Sequence, residues 1–151
     1  MMDLSHDEKD IKHALKLFVV LTRALNAIQH QVKDHIKDLG LNPTEFAVLE
    51  LIYHKGEQPI QKIGEKILIA SSSTTYVIDK LEDKGLIQRK PCPKDRRIIY
   101  ATITEEGKHL MDDVFPKHEI AIQEIFSVLS IEEKAILIEK LKQLGYHAES
   151  M

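Results

Sequence analysis

The chain has 151 residues, is 43% hydrophobic, and carries a formal net charge of −3 with a single cysteine. That apolar share can build a core without metal or disulfide, and a lone cysteine excludes an internal bridge. The charged start MMDLSHDEKD is not a secretory signal, and no apolar run nears the roughly 20 residues that span a bilayer, so the expectation is a cytoplasmic protein with no membrane partner.

Residues 11 to about 39 read as one long helix. Ile11, Leu15, Phe18, Leu25, Ile28, Val32, Ile36 and Leu39 recur at three- and four-residue steps, and Gly40 is a natural stop. At 1.5 Å per residue such a helix spans about 40 Å, long for a domain of this size. Asn42-Pro43-Thr44-Glu45 then opens a second helix with a cap, a first-turn proline and a capping-box acid, and Gly56 ends it. A short helix runs from Pro59 to Ile67, and the hydroxyl-rich Ser71–Thr75 run opens another, whose buried face is Val77, Ile78 and Leu81 and whose end is Gly85.

The period then changes. Leu86–Lys90 and Ile98–Ile103 read as two short strands around a proline-flanked basic turn, Pro91-Cys92-Pro93-Lys94-Asp95-Arg96-Arg97. Thr104 caps a helix beginning Glu105-Glu106 that is expected to reach about Val128 with a bend near Pro116. Ser130-Ile131-Glu132-Glu133 caps the last helix, expected to end at Leu144 before Gly145.

Charge is unevenly placed along this order. Residues 58–100 hold nine Lys/Arg against five Asp/Glu, so a basic middle lies between acidic flanks. Two short helices followed by a basic hairpin make a winged helix-turn-helix. The second helix of the pair is narrow enough for a major groove, and its small hydroxyl residues let backbone approach DNA. Ser71, Ser72, Ser73, Thr75, Tyr76 and Lys80 are its candidate contacts, opposite the apolar face. An amphipathic helix with a polar outside and a capped start has the same pattern. The hairpin adds Lys94, Arg96 and Arg97 on a rigid tip that can reach phosphate or a minor groove, with Asp95 placed to hold an arginine. A solvated surface turn is the plainer alternative.

These residues resemble the MarR (multiple antibiotic resistance regulator) family. Ile78–Ile87 is similar to its reading-helix end and first wing strand, and Asp95-Arg96-Arg97 followed by Ile103-Thr104-Glu105-Glu106-Gly107 is similar to its wing and next helix. Leu129–Glu133 is similar to the opening of its last helix, so the resemblance spans residues 11–144. It implies one mainly α domain over residues 1–151 with a small β-wing. Helices 11–39 and 105–144 would form the dimerisation part, and 43–103 the winged helix-turn-helix module. It implies a homodimeric repressor on palindromic double-stranded DNA, with Arg97 in a minor groove and Asp95 supporting it. Two departures stand out: Tyr76 sits where many members carry arginine, and Leu68-Ile69-Ala70 lacks the glycine often found in the turn.

The resemblance also implies a small aromatic effector between dimer base and winged module. Phe18, Phe46, Tyr53, Met111 and Phe115 are candidate lining residues, though each also reads as core. The Leu41–Leu51 and Ala70–Thr75 segments look most like the quinone- and hydroquinone-responsive branch. Cys92, beside Arg89, Lys90 and Lys94, is a candidate redox sensor or a passive exposed thiol. Eight histidines raise zinc, yet His30 and His35, or His109 and His118, lack the i, i+4 spacing of a helical ligand pair, so no metal site is assigned. A protein-interaction module of the same fold without DNA is the second reading. No acid pair, nucleophile motif or phosphate-cradling loop points to an enzyme, and no cofactor is expected.

Overall fold

The computed structural model describes residues 5–67 and 71–151, with the side chains of Ser71 and Ser72 outside the description. The turn residues Leu68-Ile69-Ala70 likewise lie outside the described residues. Six α-helices and three short strands follow in the order α1 (His6–Ile36), α2 (Pro43–Lys55), β1 (Gln58–Pro59), α3 (Ile60–Ile67), α4 (Ser71–Asp83), β2 (Ile87–Pro91), β3 (Ile99–Ile103), α5 (Glu105–Ile125) and α6 (Ile131–Glu149). The fold is mainly α with a small β-wing, as the sequence implies.

Local chemistry explains most boundaries. Ser5, Asn42 and Ser130 each accept the backbone N–H three residues on while Glu8, Glu45 and Glu133 reach back, three complete capping boxes. The box at Ser5 starts α1 five residues before the expected Ile11, because polar residues 6–10 carry no apolar period but satisfy the helix end. The helix tightens to a 3₁₀ turn at Lys37–Leu39 before left-handed Gly40. Gly85 closes α4 at φ +74°, with Leu86 N–H donating to the Leu81 carbonyl.

Two ends differ from the sequence reading. α5 stops at Ile125 rather than near Val128, and Pro116 lies inside it. α6 runs through Gly145 to Glu149, since glycine lowers helix propensity without forbidding the next turn. Strand β1 is also additional: two residues pair Gln58 with Ala101 and Pro59 with Tyr100, giving an antiparallel sheet in the order β1-β3-β2.

The core belongs to the middle of the chain. Val48, Leu49 and Ile52 of α2, Ile63 of α3, Ile78 and Leu81 of α4, Ile87 of β2 and Met111 of α5 form one buried cluster with Ile36 at the end of α1. α5 is seated on this module through its first turn. The Thr104 hydroxyl donates to Gly85 O at 2.6 Å and its backbone N–H to Leu86 O. A Cβ on Gly107 would lie 2.2 Å from that same Leu86 oxygen, so only glycine allows the approach. Beyond it the two long arms are bare. Ile36 is the sole buried residue of α1, and α6 has none.

Candidate nucleic-acid interface

The α4 helix and the β2–β3 hairpin stand on the same sheet-and-helix core. Val77, Ile78 and Leu81 anchor α4 inward, and Thr74 is buried with them. Ser73, Thr75, Tyr76, Asp79 and Lys80 are exposed. The division predicted for this helix therefore holds for its described side chains, and Thr74, which was not among the candidate contacts, is buried. A helix of 13 residues with one polar face is suited to a major groove.

One arginine ties this helix to the wing. Arg89 of β2 donates to Asp79 at 2.5 Å and to Glu82 at 2.9 Å, and its backbone N–H also donates to Glu82. Burial works against the charge of Arg89, but the bonds and charge of Asp79, then Glu82, outweigh it and hold its pKa above the ordinary value. The consequence is electrostatic as well as mechanical. One positive charge is shared between two carboxylates of α4, which lowers the negative charge beside its exposed polar face, and the hairpin angle is fixed against α4. Sequence reasoning treated Arg89 only as a neighbour of Cys92. Its position ten residues after Asp79 and seven after Glu82 carried the pairing but needed the α4–β2 turn to be readable.

The wing tip is cationic and exposed. Lys94, Arg96 and Arg97 are all exposed, with the Arg97 side chain 91% accessible. Asp95 accepts the Arg97 backbone N–H at 3.0 Å and its guanidinium at 3.1 and 3.2 Å. The Arg97 side chain, then its backbone N–H, hold the Asp95 carboxyl below its ordinary range. Gln61 of α3 donates to the Arg97 carbonyl, so the tip is also tethered from the first helix of the pair. The expected support of Arg97 by Asp95 is thus present in the free protein. Cys92 is half-buried at the hairpin, its N–H bonded to Ile98 O at 2.9 Å.

A second cross-link stabilises the back of the module. Lys84 at the end of α4 reaches Glu45 at 2.5 Å and the Gly40 carbonyl at 2.7 Å, locking α4 to the α1–α2 corner. Glu45 is buried and also closes the α2 cap, so one carboxylate serves two ends.

The five residues predicted around an effector are divided by the structure. Tyr53 and Phe115, both half-buried, meet at 6.2 Å in an aromatic cluster, with exposed His54 packed on Phe115 at 4.4 Å, and Tyr53 hydrogen-bonds Asp112 of α5. That bond, then burial and the charge of Asp112, raise the Tyr53 pKa. Phe46 extends the cluster to His118 at 4.7 Å but is itself core, as is Met111. Phe18 is not part of it: the side chain is 71% exposed on α1, because that half of the helix has nothing of this chain beside it. Two histidines that the sequence reading weighed only as metal ligands, and in other pairings, complete the cluster. His35 and His118 stack at 5.8 Å with one buried ring nitrogen unpartnered on each. No group of three metal-ligating side chains occurs among the described residues.

Comparison with known proteins fits this arrangement. The MarR family sequence profile matches residues 41–99, which span the module from α2 to the start of β3. The HTH-type transcriptional regulator MhqR of Bacillus subtilis is 56% identical over 136 residues, covering 90% of this chain and 94% of the relative. In overall fold the chain is similar to AbsC, a MarR family regulator from Streptomyces coelicolor, with a TM-score of 0.84 over the full length of both at 20% identity. It is similarly close to Sco3205 of the same organism, solved in complex with DNA, with a TM-score of 0.80 at 19% identity over 97% and 94% of the two chains. Among the described residues no helix is long and apolar enough to cross a membrane. With 56% identity to MhqR over 90% of its length, this chain belongs to the MarR family of DNA-binding transcriptional regulators, which are not enzymes.

Proposed function

We propose that the chain acts as a cytoplasmic homodimeric repressor that holds a palindromic operator and releases it when a small aromatic effector binds. One observation carries the dimer. α1 exposes Ile11, Leu15, Phe18 and Leu25, and α6 exposes Leu137, Leu141 and Leu144, each set spaced on one helical face. Apolar area of this extent is stable in water only when covered, and a two-fold copy covers both arms at once. The division of the chain follows: residues 11–39 and 105–144 carry the dimer, and 43–103 reads DNA. Two modules then face successive major grooves, with α4 in the groove and Arg97 at the adjacent minor groove. Ser71, Ser72, Ser73, Thr75, Tyr76, Lys80, Lys94 and Arg96 complete the contact set.

The effector reading rests on a groove of about 630 Å³ between α5 and α6, lined by Phe115, His118 and Ile122 with Glu50 at its side; its α6 wall, Leu137 and Leu141, is shared with the dimer arm, which puts the effector at the dimer base. Its size and apolar walls suit a single-ring or two-ring aromatic, and Tyr53, Phe46 and Met111 support it from behind. Phe18 belongs instead to the dimer arm. His118 adds a polar ring to the otherwise apolar groove wall, which suits a phenol or quinone, in keeping with the sequence likeness to the quinone-responsive branch.

The deciding experiment recovers duplexes from a random pool with the full-length protein, then measures the mass of the complex. The reading expects a palindrome with half-sites about one helical turn apart, two chains per duplex, and affinity that falls steeply with salt. Hydroquinone, catechol and benzoquinone are then titrated into the complex, and release by at least one is expected. No enriched duplex removes the operator reading; an unchanged complex across the three compounds removes the effector class.

A further inference from the structure

Tyr76 is a large, partly apolar side chain in the second turn of the reading helix, and 61% of it is exposed. Its ring is nevertheless held. Lys80, one turn on, places its ammonium 5.3 Å from the ring centroid, within range of the negative π-face. The neighbouring carboxylate does not compete for that ammonium, because Asp79 is bonded to Arg89 of the wing. No ion pair to Lys80 occurs among the described residues. The pair Tyr76–Lys80 is therefore a preformed unit on the groove side of α4, with one ring face covered by the cation and the rest of the ring open to solvent.

A major groove offers few apolar targets. Thymine alone presents a methyl group there, whereas guanine presents two acceptors that suit a cation or a guanidinium fork. A phenol ring fixed at this position presents its apolar face to the methyl, whereas its single hydroxyl can give a guanine edge one hydrogen bond and not the two that a guanidinium fork supplies. We propose that Tyr76 is a specificity-determining residue that reads a thymine C5-methyl in each half-site, with Lys80 as the positioning residue that orients the ring. The inference rests on the operator reading above and goes beyond it by naming the base at one contact.

The experiment uses the full-length protein and the duplex recovered from the random pool. Each thymine is replaced in turn by uracil, which deletes the methyl and leaves pairing intact. Burying one methyl contributes about 0.8 kcal/mol, which is about a fourfold change in affinity per half-site. The expected result is a loss of that size at one symmetry-related thymine pair for the wild type and for Tyr76→Phe, and no further loss there for Tyr76→Ala. Lys80→Met should shrink the uracil penalty while leaving the fold intact by circular dichroism. Tyr76→Arg should shift the preferred base at that position toward guanine in a repeated selection.

A wild-type protein that binds the duplex tightly yet shows no uracil penalty anywhere overturns the inference while leaving the operator reading standing. A penalty of the same size in Tyr76→Ala overturns it too, by assigning the methyl to another side chain. Failure to recover any duplex is a failure of the operator reading itself.

Discussion

The winged module and the long helices spend their apolar residues in opposite ways. Between Leu41 and Val114 the large hydrophobics are mostly buried within the chain, from Val48 and Leu49 through Ile78 and Leu81 to Met111. On α1 and α6 residues of the same chemistry lie outside, and Leu15, Phe18, Leu141 and Leu144 meet no core. Polar cross-links follow the same division. Lys84–Glu45 and Arg89–Asp79–Glu82 brace the module, while ion pairs on the arms are exposed and local. A region that satisfies itself is built to act as a rigid tool; a region that does not is built to be completed.

The most severe way to break this contrast is to charge the bare arm. Replacing Leu15 and Phe18 together by glutamate should remove the dimer and with it operator affinity, by a hundredfold or more, since two modules then bind as independent halves. Sedimentation and gel shift read the two effects, and circular dichroism should show the helices retained. A dimer that survives both charges places the interface elsewhere.

Inside the module the same kind of residue should report on folding instead. Ile78→Ala deletes a fully buried side chain and should cost about 2–5 kcal/mol of unfolding free energy, measured by urea denaturation. An effect under about 1 kcal/mol would mean that the module is not the cored unit described here.

A smaller, purely functional loss is expected at the wing. Arg97→Ala should weaken operator binding about tenfold with the dimer and the melting temperature unchanged, because its side chain is exposed and, among the described residues, is bonded to Asp95 alone. Unchanged affinity would take Arg97 out of the interface.

The mildest test probes the seam between the two regions, where α1, α2 and α5 meet at His118. Burial lowers the His118 pKa from 6.5; Glu50 pulls it up, His35 adds to the lowering and Glu119 opposes it. The folded chain thus keeps His118 neutral where the unfolded chain has begun to take a proton. Its contribution to stability is present above pH 6.5 and is lost as the pH falls through the lower folded value. Melting temperature should therefore fall on acidification from pH 7.5 to 5, with a shallower slope in His118→Phe. Equal slopes would mean that His118 does not sense the difference.

Much of the winged module was legible before any coordinates. Capping boxes at Asn42 and Ser130, the inward triad Val77, Ile78 and Leu81, and the Asp95–Arg97 pairing are encoded by residues no more than four positions apart, a range over which helix and turn geometry is fixed. Strand β1 was not legible, since two residues carry no period; it exists only because β3 lies beside it. The start of α1 and the end of α6 escaped for the converse reason. Capping and propensity extend a helix where the apolar pattern has already stopped.

The candidate site was visible as a list of residue types but not as an arrangement. Sequence determined by itself that a basic, proline-braced hairpin follows a hydroxyl-tipped helix, because charge, turn chemistry and period are local properties. Only the tertiary structure decided that Arg89 bonds both Asp79 and Glu82, that Phe18 stands apart from Phe115, and that His35 stacks on His118 across 83 positions of chain. Such contacts depend on how whole elements pack, and packing is set by summed shape and burial rather than by spacing along the chain.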